Sequence, residues 1–72
     1  MNEPLKITLK AARVNAGMTQ GEAAEKAGVT IQTLCSWENG KTEPSPLNVF
    51  GLCSIYGISA DNIFLPKKLA ES

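Results

Sequence analysis

A three-residue connection, Gly28-Val29-Thr30, joins two segments that each read as one short helix. Before it, Thr19-Gln20-Gly21-Glu22 has the spacing of a capping box: the threonine oxygen accepts from one free amide and Glu22 reaches back to another. A helix then runs from Gln20 to Ala27 and stops at Gly28, which supplies the positive φ of the turn. After it, Thr30 can cap a helix that ends near Asn39-Gly40. So short a joint forces the two helices to cross sharply and closely. Ala24, four residues before Gly28, is the small residue such a crossing needs, and Val29 and Leu34 supply apolar contacts on its inside. The result is helix-turn-helix geometry.

The same punctuation divides the rest of the chain. Thr8 caps a helix from Leu9 to about Ala16, where Gly17 can end it. "KTEPSP" is a loop, with Ser45 as cap and Pro46 at the first position of a fourth helix that runs to Tyr56 and stops at Gly57. Ser59 caps a last short helix over Ala60 to Phe64, closed by Pro66. "KITL" alternates as a strand would, but is too brief to outweigh the helical pattern. The expected fold is all-α, a compact five-helix bundle: 1–8 as an N-terminal segment, 9–65 as the domain, 66–72 as a tail.

Several functions are disfavoured by composition. With 72 residues there is room for one small domain, and a chain of this size buries only about 60% of its unfolded surface. A deep enzyme pocket is not expected. Histidine is absent, which removes the commonest general base and metal ligand. Cys35 and Cys53 lie far apart without a CxxC partner and read as free thiols. Ser36 and Cys35 have no histidine to activate them, so no catalytic residues, metal or cofactor are expected. No apolar run approaches the roughly 20 residues of a membrane span, and "MNEPLKITLK" is not a secretion signal; a cytoplasmic location is expected. Seven basic residues balance seven acidic ones, which counts mildly against nucleic acid.

The segment Ile31 to Glu38 is more specific. At about 100° per residue, Ile31, Leu34, Cys35 and Glu38 fall on one broad arc, with Trp37 at its edge. Gln32, Thr33 and Ser36 occupy the remainder. The polar side is therefore uncharged and hydrogen-bonding, and the only charge faces inward. A carboxylate on a packed face needs a partner, because an unpaired buried charge costs several kcal/mol.

From Leu9 to about Leu65 the chain resembles the Cro/CI-type (XRE family) helix-turn-helix domain of phage repressors and small bacterial regulators. The residues that carry the resemblance are "LKAARVNAGMTQGEAAEKAGVT", "WENGKTEPS" and "YGISADNIF". It implies a third helix that enters the major groove of double-stranded DNA, and a regulator that binds a two-fold operator as a homodimer. It also implies that Arg13, the only arginine, pairs with Glu38 and fixes the angle between the first and third helices. By family position Thr30, Ile31, Gln32 and Ser36 point at base edges. Glutamine suits adenine, and Ile31 can pack on a thymine methyl. Gln20, Thr33, Asn39, Gly40 and Lys41 are the implied phosphate contacts. The chain departs from the family at Ile31, where members often carry glutamine or arginine, so strong discrimination is not expected there.

On the fourth helix, Val49, Phe50, Cys53 and Tyr56 read as the inner face, with Leu52 beside them. Leu47, Gly51 and Ile55 recur at four-residue spacing on another face, a stripe that suits a homodimer contact. The expected function is thus a DNA-binding regulator, in its most natural version a stand-alone repressor of phage or prophage type. With so few cations, a shallow salt dependence is expected. The competing reading is a protein-interaction module, such as an antitoxin that binds a partner protein; neutral net charge and a third helix without basic residues favour it.

Overall fold

The computed structural model describes residues 6–65. In chain order it has a strand β1 (Ile7–Thr8), helices α1 (Leu9–Asn15), α2 (Gln20–Ala27), α3 (Ile31–Glu38) and α4 (Pro46–Tyr56), a 3₁₀ turn (Ala60–Asn62) and a strand β2 (Ile63–Phe64). Each α-helix starts at a hydroxyl that takes one of its free amides. The Oγ1 of Thr8 accepts from the Ala11 N–H at 3.0 Å, and that of Thr19 from Glu22 at 3.1 Å. Thr30 accepts from Thr33 at 3.1 Å, and the Ser45 Oγ from Asn48 at 3.2 Å. The Glu22 carboxylate in turn accepts from the Thr19 N–H at 2.9 Å, completing a capping box. Helices this short are marginal in isolation, so caps and tertiary packing hold them.

The core lies where α1, α2, α3 and α4 meet. Leu34 and Leu52 are fully buried at its centre, against Ala23, Ala24 and Trp37. The alanines let α2 lie close to its neighbours; a larger side chain there would force them apart.

Two sequence expectations need correction. The fifth helix over Ala60 to Phe64 is absent: three residues form a 3₁₀ turn, and Ile63 is extended, with φ −99° and ψ 130°. Ile63 and Phe64 instead pair in parallel with Ile7 and Thr8, Ile7 opposite Ile63. The described residues therefore hold four α-helices and a two-stranded ladder, in an otherwise all-helical bundle. A β-branched residue prefers the extended state, and there Ile63 becomes buried. Part of "KITL" is thus a strand after all, though its partner is distant in sequence. The second correction is Phe50, which is 61% exposed rather than on the inner face of α4. The buried arc of that helix is Leu52, Cys53 and Tyr56 with Val49 half-buried, and Phe50 lies more than a quarter-turn away from its centre. Pro66 and the 66–72 tail lie outside the described residues. No helix among the described residues is long and apolar enough to cross a membrane.

Candidate nucleic-acid interface

The crossing of α2 and α3 depends on Gly28, whose φ of 75° and ψ of 28° lie in the left-handed region. Its N–H closes back on the Glu25 carbonyl at 3.2 Å and that of Val29 on Ala24 at 3.0 Å. The chain is thereby turned within a few residues, and Thr30 starts α3. Ile31 leans back over the start of α2: a Cβ on Gly21 would lie 3.7 Å from the Ile31 Cδ1, while Ile31 remains 52% exposed. Eight residues of α-helix span roughly 12 Å, comparable to the major-groove width of about 12 Å.

On α3, Leu34 and Trp37 face the core. Gln32 is exposed, and Thr33, Cys35 and Ser36 are half-buried. Gln32 and Ser36 make no side-chain hydrogen bond among the described residues, so their donors and acceptors are available. Thr30 differs. Its oxygen accepts the Thr33 N–H, and its own hydroxyl donates to the Thr33 Oγ1 at 2.9 Å. The cap uses the Thr30 proton, so Thr30 could meet a base edge only as an acceptor, and it leaves the Thr33 hydroxyl proton unengaged.

The end of α3 stands out from the other helix ends. Gly17, Gly28, Gly40 and Gly57 all have positive φ, and each is followed by a residue whose N–H bonds the carbonyl five residues back. After three of them that residue is apolar and rests on the core: Met18, Val29 and Ile58. After α3 it is Lys41, exposed, its N–H on the Ser36 carbonyl at 2.9 Å. A cation thus takes the position where the other three caps carry a packing residue. The N–H groups of Gly40 and Lys41 are both spent in this cap, the former on Trp37 at 3.3 Å. An anion would therefore meet the Lys41 ammonium and the Asn39 amide, whose Nδ2 also donates to the Cys35 Sγ at 3.3 Å.

Behind this face lies a polar cluster. Arg13 Nε donates to Glu38 Oε2 at 2.8 Å and Nη2 to Oε1 at 3.2 Å, in a two-point grip. Side-chain exposures are 9% and 2%. Arg13 Nη1 donates to the Met18 carbonyl at 2.9 Å, which anchors the guanidinium to the α1–α2 loop. Its hydrogen bond to the Glu38 carboxylate pushes the Arg13 pKa up. Gln20 joins too, its Nε2 donating to Glu38 Oε1 at 3.0 Å. The structure therefore brings Arg13, Gln20 and Glu38 together, and one of Gln20's amide protons faces the carboxylate. Against the cluster, the buried Tyr56 hydroxyl makes no hydrogen bond. Burial, with the nearby Glu38 charge, pushes its pKa up to about 12. Neither the Gln20 contact nor the state of Tyr56 has a signal in residue spacing.

The helix-turn-helix family model matches residues 9–63. The chain belongs to the XRE family of helix-turn-helix proteins. It is also 34% identical, over 61 residues, to an uncharacterised HTH-type transcriptional regulator of Methanocaldococcus jannaschii, covering 85% of this chain and 92% of that protein. The fold is thus one shared with DNA-binding transcription regulators. Among the described residues of this XRE-family chain, no group of three or more His, Cys, Asp or Glu side chains could hold a metal ion. The XRE domain also presents an apolar strip on the outside of α4. Leu47 is 79% exposed, Gly51 is exposed, and Ile55 is half-buried at the edge. Phe50, which sequence periodicity places inside, belongs to this strip. Beside it Pro44, Pro46, Val49, Ala60 and Leu65 line a groove of about 350 Å³.

Proposed function

We propose that this protein is a sequence-specific regulator of phage or prophage type, a repressor that binds a two-fold duplex-DNA site as a homodimer with α3 in the major groove. The observation that carries the reading is the outer face of α3: uncharged and hydrogen-bonding, with Gln32 exposed and Thr33 and Ser36 half-buried, held out by a sharp α2–α3 crossing. In this reading Gln32 and Ser36 address base edges, Ile31 packs on a thymine methyl, and Thr30, its proton held by Thr33, meets a base edge as an acceptor. Phosphates are met by Gln20, Thr33, Asn39 and Lys41, with Gly40 shaping the turn that presents Lys41. Such contacts supply most sequence-independent affinity. Leu47, Gly51 and Ile55, with Phe50, form the contact between copies.

A partner protein is the second reading, and the exposed Leu47–Phe50 strip on a chain of zero net charge favours it. Selection from a pool of random duplexes at low salt separates the two. Enrichment of a two-fold site, lost in Gln32→Ala, is the expected outcome. A dimer that enriches no sequence would leave the protein-partner reading in its place.

A further inference from the structure

We propose that Glu38, besides pairing with Arg13, is the positioning residue for Gln20, and that it presents the Gln20 amide to a DNA phosphate. The proposal rests on the duplex-binding reading above. Glu38 closes α3 and is almost wholly buried, yet its carboxylate accepts from two other helices: Arg13 of α1 twice, and Gln20 of α2 at 3.0 Å. Gln20 is half-buried at the first position of α2. A primary amide has two N–H groups and an acceptor oxygen. One N–H is held by Glu38; the other, and the oxygen, have no hydrogen-bond partner among the described residues. The amide is thus fixed at one end to the scaffold and free at the other. The start of α3 offers Gln20 no such anchor, because Ile31 turns only a methyl group toward the start of α2.

A carboxylate this close to an anion site would repel phosphate if it stood alone. The two-point grip of Arg13 neutralises it, and the Met18 carbonyl keeps the guanidinium in place. The buried pair therefore presents a neutral anchor rather than a negative charge. Holding Gln20 beforehand reduces the rotamer freedom lost on binding, which is how preorganisation raises affinity. It also ties the phosphate contact of α2 to the end of the recognition helix, so that the two elements meet DNA as one body.

A double-mutant cycle tests this, with dissociation constants for the selected duplex measured by fluorescence anisotropy. The variants are Gln20→Met, the apolar replacement Arg13→Met with Glu38→Leu, and all three together. Gln20→Met is expected to weaken binding about tenfold for each protomer, about a hundredfold for the dimer, in the natural background, the loss of one charge-assisted hydrogen bond per half-site. In the Arg13→Met/Glu38→Leu background it is expected to change binding less than twofold. An equal loss in both backgrounds would show that Gln20 does not need Glu38 and overturn the proposal. If the apolar pair fails to fold, the ¹⁵N relaxation of the Gln20 side-chain amide in the unmodified free protein decides. An amide as ordered as the backbone supports the proposal; a freely moving one overturns it. Failure of the unmodified protein to bind any duplex would instead overturn the duplex-binding reading, and the phosphate contact with it.

Discussion

Removing either half of the Arg13–Glu38 pair leaves a nearly buried charge without its partner. Arg13→Ala or Glu38→Ala is expected to lower stability by about 3–5 kcal/mol, read as a fall in the urea midpoint. Joint replacement by Met and Leu should recover most of that loss, because it leaves no buried charge unpaired, only the neutral Gln20 amide and Met18 carbonyl without their partners. A loss below about 1 kcal/mol for either single variant would mean that the pair behaves as a solvated surface bridge. Tyr56 gives a second prediction. Its folded pKa of about 12 lies above the ordinary value of 10, so folding favours the protonated phenol. That stability is complete below pH 10 and is lost as pH rises toward 12, by on the order of 2–3 kcal/mol. Burial also raises the Cys53 pKa, so that thiol adds to the same alkaline loss. Tyr56→Phe removes an unpaired hydroxyl and should be neutral or stabilising at pH 7, with a flatter decline above pH 10. An unchanged decline would assign the loss to other groups. At this scale the inward position of Glu38 is legible on a helical wheel, because a single charge interrupts an apolar arc. The Gln20 contact is not, because hydrogen bonds between helices depend on a crossing geometry that spacing alone does not give.

Two substitutions at the ends and face of α3 separate the roles assigned to it. Gln32→Ala should relax preference at one base position, costing about 1–3 kcal/mol of discrimination. Lys41→Ala should instead weaken all duplexes alike and reduce the salt slope by about 1 for each protomer bound. Titrations of matched and mismatched duplexes at several salt concentrations tell these apart, and a Lys41→Ala protein with an unaltered slope would remove Lys41 from the phosphate contacts. On α4, a Cβ added at Gly51 meets nothing within 4 Å in the single chain. Gly51→Ala should therefore stabilise the helix by about 0.5–1 kcal/mol while weakening a dimer in which another helix approaches there. Leu47→Glu should convert that dimer to monomer in sedimentation; unchanged sedimentation for both variants would move the contact elsewhere. Helix boundaries are legible because caps and stop signals are local: Thr8, Thr19, Thr30 and Ser45 each act within three residues. The faces of α4 are less so. With apolar residues all round the helix, periodicity does not say which side is buried, and Phe50 is misplaced for that reason. Nor is the Ile7–Ile63 pairing visible locally, since its two halves stand at opposite ends of the described chain.

For the whole molecule, zero net charge sets how DNA is approached. With Lys41 as the one cation assigned to a phosphate on each protomer, Arg13 being neutralised by Glu38, a dimer is expected to show a log–log salt slope of only about −2. In the proposed reading the uncharged side chains of Gln20, Thr33 and Asn39 are expected to supply the remaining phosphate contacts. A slope near −6 would mean that lysines elsewhere carry the binding. The all-helical class is legible from punctuation alone, whereas the ladder that ties β1 to β2 emerges only when the whole chain closes. The same holds for the apolar strip, which exists because the four helices and the ladder use up only one side of α4. The most direct test is to record backbone amide NMR shifts of the ¹⁵N-labelled protein as the selected duplex is added. The expected changes cluster at Gln20–Gly21, Thr30–Ser36 and Asn39–Lys41. Changes confined to Leu47–Ile55, with α3 silent, would contradict a recognition role for α3 and point to the outer face of α4 as the binding surface.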